Sequence, residues 1–307
     1  MNDDEDVDLA VSSLNSAIKH AEYTLSRLRA ILADRGAIMK ATLSDRLYLT
    51  GLSADQSNQI RETLTFRNPK YEEALQFGRS TRAIPVSLGL FEDTCEGLAI
   101  PRGHTLDWLK GCDMQDERNS RQVQIKTSIE SRPYQERAIQ LSIDHDGGVI
   151  IAPTGAGKTT MGIEIAARLG ERCLILVKSI DLAKQWQAAI KIFTGLDCGL
   201  IGGGKWQEGQ AFTVGLTQTL VKHEGSLDYG LVIVDECHDI PAAQVYRVIN
   251  RQSAKYRFGL SATLQRRDNL EFLIHAALGP VVAEVKADEV GAAAISRQVY
   301  GVCVGCC

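Results

Sequence analysis

The sequence predicts an α/β fold: a doubly wound parallel sheet, preceded by a heptad helix and a small α+β domain. Three observations predict it. From residue 125 onward, short apolar runs alternate with helix-period segments, the pattern of strands joined by crossover helices. One of those strands, Gly147-Gly148-Val149-Ile150-Ile151, runs into Ala152-Pro153-Thr154-Gly155-Ala156-Gly157-Lys158-Thr159-Thr160, a glycine-rich loop that opens a helix. Another, Leu231-Val232-Ile233-Val234, ends in Asp235-Glu236-Cys237-His238. Ligands of such sheets collect at the carboxyl ends of the strands, so the loop and the acids are expected along one edge.

The chain has 307 residues with 44% hydrophobic content, enough for about two globular domains. No apolar run approaches the roughly 20 residues needed to span a bilayer, and the start Met1-Asn2-Asp3-Asp4-Glu5-Asp6 is acidic, unlike a secretory signal. A cytoplasmic location with no membrane contact is expected. Net charge is −4, which excludes a global basic field, so any nucleic-acid binding must come from local patches. Cys95, Cys112, Cys173, Cys198, Cys237, Cys303, Cys306 and Cys307 have no paired spacing and read as reduced thiols. A metal site at the Cys303–Cys307 tail would need ligands that its surroundings do not supply.

Residues 1–36 form the first element. Val7, Val11, Leu14, Ile18, Ala21, Leu25, Leu28 and Leu32 recur at heptad spacing before the stop at Asp34-Arg35-Gly36. Two readings stand open, a coiled coil for self-association or a partner helix through 7–32, and an amphipathic helix packed on its own domain. Residues 37–112 then read as the small α+β domain. It has a strand over 41–50, a capped helix over 53–64 and a turn at Phe66-Arg67-Asn68-Pro69. Its Arg61, Arg67, Lys70, Arg79 and Arg82 interleave with Phe66, Tyr71 and Phe77. That mixture suits phosphates and bases, and equally a solvated charged face diluted by Glu62, Glu72 and Glu73. Residues 113–124, polar and without period, read as a linker. The sheet domain follows over 125–288, with helices at 134–144, 159–169 and 180–193, and strands at 149–152, 173–177, 212–215, 231–234 and 257–260.

Each motif on this sheet answers a chemical need. A triphosphate needs backbone N–H groups converging on its oxygens, and Gly155 and Gly157 let the main chain approach that closely. Lys158 can reach the terminal phosphates, Thr159 can ligate Mg²⁺, and the helix that starts there points its positive end at the anion. Asp235 would hold the same Mg²⁺ and Glu236 would deprotonate the attacking water. His238 is either part of this catalytic group or a hydrogen-bonding residue beside a turn. Ser261 and Thr263 follow a third strand and could sense the γ-phosphate through Asp235 or His238. Ahead of the loop, Arg132-Pro133-Tyr134-Gln135 could read an adenine edge through the Gln135 amide, or could be simply a helix start with Pro in its first turn.

Together these segments resemble the superfamily 2 helicases of the DEAD/DEAH type. Arg-Pro-Tyr-Gln is similar to that family's Q-type motif, Ala-Pro-Thr-Gly-Ala-Gly-Lys-Thr to motif I, Asp-Glu-Cys-His to motif II and Ser-Ala-Thr to motif III. The first glycine usual in motif I is Ala152 here. Leu176 to Trp186 resembles motif Ia and Thr217 to Leu220 the segment near motif Ib. The Gly202-Gly203-Gly204-Lys205 turn and the run from Leu260 to Asp268 are closest to the branch of the excision-repair and phage recombination helicases. The resemblance implies a P-loop NTPase (RecA-like) fold and a helicase or translocase that uses ATP and Mg²⁺. It implies ATP contacts at Arg132, Gln135, Thr154, Gly155, Ala156, Gly157, Lys158, Thr159 and Thr160. It further implies strand contacts at Lys178, Ser179, Gln185, Thr217 and Gln218, with nucleic acid, DNA rather than RNA, as partner. It ends near residue 288, before the second RecA-like domain that family members carry, so 289–307 reads as a tail. The expectation is the ATP-binding half of a helicase; the competing one is a non-enzymatic regulatory fragment that binds DNA or a partner.

Overall fold

The computed structural model describes residues 39–104, 113–263, 266 and 268–291. The heptad helix at 7–32 and the Cys303–Cys307 tail lie outside the described residues.

The chain divides into two compact units. The described residues of the first are 39–42, Leu47–Ile100 and 113–115; those of the second are Leu43–Arg46, Pro101–His104 and the described residues from 116 onward. In the first unit, strands β1 (Lys40–Leu43), β2 (Leu47–Thr50), β5 (Glu92–Asp93), β6 (Gly97–Ile100) and β7 (Asp113–Asp116) form a sheet in the order β5-β6-β2-β1-β7. Strands β3 (Thr65–Arg67) and β4 (Ser87–Gly89) make an antiparallel pair, and two helices, α1 (Ala54–Thr63) and α2 (Pro69–Gln76), complete the unit.

Three expectations need correction here. The strand expected over 41–50 is two strands, broken by the polar turn Ser44-Asp45-Arg46, where the Ser44 N–H donates to the Arg46 carbonyl. The turn expected at Phe66 to Pro69 is the end of β3 followed by a helix start, with Asn68 capping α2 and Pro69 in its first turn. The expected linker at 113–124 begins as the edge strand β7, exposed throughout. Its remainder is tied to the second unit: the Arg121 N–H and Gln122 amide donate to Glu171, and the Val123 N–H donates to the Gly170 carbonyl.

The second unit is built on an eight-stranded sheet in the order β11-β10-β12-β9-β13-β14-β8-β15. The strands are β8 (Gly147–Ile151), β9 (Cys173–Val177), β10 (Cys198–Gly202), β11 (Lys205–Gln207), β12 (Phe212–Leu216), β13 (Leu231–Asp235), β14 (Tyr256–Ser261) and β15 (Val281–Glu284). All pair in parallel except the edge hairpin of β10 and β11. Helices α3 (Pro133–Ile143), α4 (Lys158–Leu169) and α5 (Ile180–Thr194) share one core with the sheet through Ile139, Ile163, Ile165, Trp186 and Ile190. Alternate strand residues outside that core, such as Val149, Val232 and Val234, are fully buried as well, as a sheet covered on both faces requires. The short α6 (Thr217–Leu220), with α7 (Ala242–Ile249) and α8 (Glu271–Leu278), completes the unit. Among the described residues no helix is long and apolar enough to cross a membrane.

Register places the site. Leu216 pairs with Val177, Val234 with Leu176, Asp235 with Leu260 and Ser261 with Ile151. The segments that follow β8, β9, β12, β13 and β14 therefore leave the sheet along one edge, which carries the loop at 152–159, residues 178–179, 217–218, 235–238 and 261–263.

Candidate nucleotide and nucleic-acid site

The loop after β8 is shaped by two residues with positive φ, Gly155 at 85° and Gly157 at 84°. A Cβ on Gly157 would come 2.4 Å from Gln135 Nε2 and 2.8 Å from Thr160 Oγ1, so a side chain there would be excluded by space as well as by backbone angle. Gly157 is also the N-cap of α4, and no side chain caps the helix. Its first N–H groups are open to a ligand. Thr154 and Gly155 are exposed, Ala156 is buried, and Thr159 and Thr160 are partly exposed in the first turn. The Thr160 hydroxyl donates to the Gly157 carbonyl at 2.7 Å.

Lys158, 8% exposed, lies over this loop. Its ammonium donates to the Ala152 carbonyl at 3.2 Å and pairs with Glu236 Oε1 at 3.2 Å. Asp235, 5% exposed at the end of β13, accepts the Trp186 indole N–H on Oδ2 at 2.7 Å. Burial pushes its pKa up, the indole bond opposes that, Glu236 adds to it and Lys158 opposes it. Glu236 has φ 47°, a left-handed turn that costs a non-glycine residue on the order of 1 kcal/mol. Its Oε2 is buried without a hydrogen bond, 3.3 Å from His238 Nδ1. A buried acceptor left open beside a cation, next to an uncapped helix start, suits a site built to receive a water and a phosphate.

His238 is joined to the third strand end, since its Nδ1 lies 2.8 Å from the Ser261 hydroxyl. Ser261 also donates to the Thr263 carbonyl and accepts the Thr263 N–H. Gln135 binds the loop: its oxygen accepts the Arg132 N–H at 2.9 Å and its amide nitrogen donates to the Ala156 carbonyl at 2.7 Å. Arg132 donates to the Tyr134 hydroxyl, which donates to the same carbonyl. Both ends of the Gln135 amide thus have protein partners, which makes it first a brace between α3 and the loop.

Of the strand-contact candidates, Lys178, Gln185 and Gln218 are exposed, and Ser179 caps α5 by accepting the Leu182 N–H. Thr217 is 1% exposed and its hydroxyl donates to the Val177 carbonyl. The expectation that its side chain touches a strand is corrected, because a hydroxyl fixed inside the sheet has no path to a ligand. In the first unit, Arg61 pairs with Asp93, Arg67 with Glu72 and Arg79 with Glu73. These pairs fit the solvated-face reading of that charged stretch.

Three residues beside the site are given no role by the sequence reading. Trp186 holds Asp235. Arg266 donates to the Cys237 carbonyl at 2.9 Å and the His238 carbonyl at 2.7 Å while paired with Asp268, locking the turn that carries the acids. Asp239 lies 3.5 Å from the Lys178 ammonium.

Residues 128–266 match the family described as the type III restriction enzyme, res subunit. The chain is 32% identical over 175 residues to the DNA 3'-5' translocase XPB2 of Sulfurisphaera tokodaii, a match covering 56% of this chain and 40% of that protein. It is 28% identical over 246 residues to the probable helicase D10 of Escherichia phage T5, covering 76% of this chain and 51% of that one. Among solved structures, the UvsW helicase of bacteriophage T4 shares the fold with a TM-score of 0.60 at 18% identity, over 80% of this chain and 99% of that chain. These similarities run over the second unit, which shares its fold with that helicase structure. The match at 128–266 takes in the loop at 152–159, the acids at 235–238 and residues 261–263. The chain spans about half, or less, of the length of these two curated relatives.

Proposed function

We propose that this chain binds ATP with Mg²⁺ and serves as the ATP-hydrolysing domain of a DNA helicase or translocase. The observation that carries this reading is the meeting of Lys158, Asp235 and Glu236 beside the open N-terminus of α4. Loop N–H groups and the Lys158 ammonium hold the β- and γ-phosphates. Thr159 and Asp235 would hold Mg²⁺, which supplies neutralisation of charge between those phosphates when bound. Glu236, released from Lys158 by the arriving phosphate, accepts a proton from the attacking water on its open Oε2. His238, Ser261 and Thr263 relay the state of the γ-phosphate to the neighbouring strand end. Arg132 and Gln135 border the base. Lys178, Ser179, Gln185 and Gln218, at the same sheet edge, contact one nucleic-acid strand, most simply its phosphates. DNA is favoured by the named relatives, and the cytoplasm, which holds both ATP and DNA, is the place of action.

An arginine finger from a second domain adds orders of magnitude to phosphoryl transfer. The described residues by themselves therefore support nucleotide binding and slow turnover, and fast coupled movement requires a second domain closing over the nucleotide. The test is ATP hydrolysis by the purified chain with no DNA, single-stranded, duplex and forked DNA, beside Lys158→Ala and Glu236→Gln. Turnover lost in both variants supports the site. DNA-stimulated turnover that survives both changes sinks it.

A further inference from the structure

The sheet edge divides into a nucleotide half, at β8, β14 and β13, and a strand half, at β9 and β12. Besides the exposed Lys178–Asp239 pair, a buried side chain crosses between them. Trp186 lies two turns into α5, the helix that begins at Ser179 and carries Gln185, yet its indole N–H reaches Asp235 on β13 at 2.7 Å. The ring is 1% exposed. Room for it comes from Gly162, in the interior of α4, where a Cβ would lie 2.8 Å from the ring atom Cη2. Glycine within a helix is disfavoured relative to alanine. The fold therefore carries a disfavoured residue in the phosphate-loop helix and a polar N–H in its core, and the two meet in a single bond to one carboxylate.

We propose that Trp186 is a positioning residue for Mg²⁺: its indole holds Asp235 by Oδ2, and Gly162 provides the space that lets it do so. This rests on the nucleotide-site reading given above. A core tryptophan with no such role would affect stability alone. A positioning residue affects the metal specifically, because a carboxylate free to rotate loses the geometry that an octahedral ion demands.

The experiment is a Mg²⁺ titration of the affinity of the whole chain for a fluorescent ATP analogue, in wild type, Trp186→Phe and Gly162→Ala. Phenylalanine keeps an aromatic ring and removes the donor; alanine at 162 keeps the donor and displaces the ring. Both variants are expected to bind the analogue without Mg²⁺ as wild type does, and to need about 3- to 10-fold more Mg²⁺ for half-maximal enhancement, the range for an ordinary net hydrogen bond. Wild-type Mg²⁺ dependence in Trp186→Phe overturns the proposal while leaving the nucleotide site intact. A wild-type chain that binds no nucleotide at all overturns the functional reading and the proposal with it. A second measurement covers a variant that does not fold. Of the three tryptophan indole N–H signals of the native chain, assigned with Trp108→Phe and Trp206→Phe, the one from Trp186 should exchange slowly with solvent and shift when Mg²⁺ and ATP are added. An unmoved signal at saturating nucleotide rejects the proposal.

Discussion

Helices α1 and α4 begin in opposite ways. At α1 the Ser53 hydroxyl accepts the Gln56 N–H and the Gln56 side chain accepts the Ser53 N–H, a reciprocal box that closes the terminus. At α4 a left-handed glycine stands where the cap would be, and nothing on the chain takes the first N–H groups. The first arrangement converts sequence into stability. The second leaves donors unspent, and α7, which also lacks a side-chain cap, shows that an open end by itself is not a site. What sets α4 apart is its surroundings: Lys158 over the loop, two carboxylates opposite, and a glycine that cannot be replaced without striking Gln135.

The largest effect expected from breaking this comparison is at Lys158. Lys158→Ala should weaken ATP affinity roughly 10- to 100-fold, the worth of a charge-assisted bond, as read by equilibrium binding. Closing the open terminus comes next. Gly157→Ala forces a side chain into a left-handed backbone against Gln135, and should cost about 1–2 kcal/mol in denaturant unfolding together with about tenfold in nucleotide affinity. An unchanged affinity would mean that the loop is not a phosphate cradle. On the closed helix, Ser53→Ala should cost about 1 kcal/mol of stability and leave nucleotide affinity alone. The smallest effect lies at the other terminus of a helix, in α8, where His275 Nδ1 donates to the Gly279 carbonyl. Burial lowers its pKa, and the Gly279 bond and Glu271 only partly oppose this. The folded pKa is below the unfolded one, so the neutral imidazole contributes stability that is present above about pH 6.5 and is lost as pH falls through the folded pKa. The melting temperature should decline across that window in the wild type and decline less in His275→Gln.

The sequence reading served well wherever the chemistry is local. A loop, its lysine and its helix are contiguous, and so is an apolar strand ending in two acids; the box at Ser53 is readable from residues three apart. It fell short where burial or distance decides. Asp113–Asp116 has one apolar residue, Met114, and that is exposed, because an edge strand need bury nothing, so it reads as a linker. Thr217 reads as a strand contact through the resemblance of Thr217 to Leu220 to the segment near motif Ib, yet its hydroxyl bond to Val177 depends on strands that are neighbours only in the folded sheet. Trp186 reaches Asp235 across 49 positions of chain, and Arg266 reaches the Cys237 and His238 carbonyls across 29 and 28, farther than a local pattern spans.

The Lys158–Glu236 pair has a further consequence, for the response to salt. A nucleotide entering the loop does not meet a bare lysine; it replaces one anionic partner with another. Dissolved ions screen the contact that forms and the contact that is given up, and these two effects oppose each other. On the function proposed, the affinity of the loop for a nucleotide should accordingly depend only weakly on ionic strength, which binding titrations at rising salt would check.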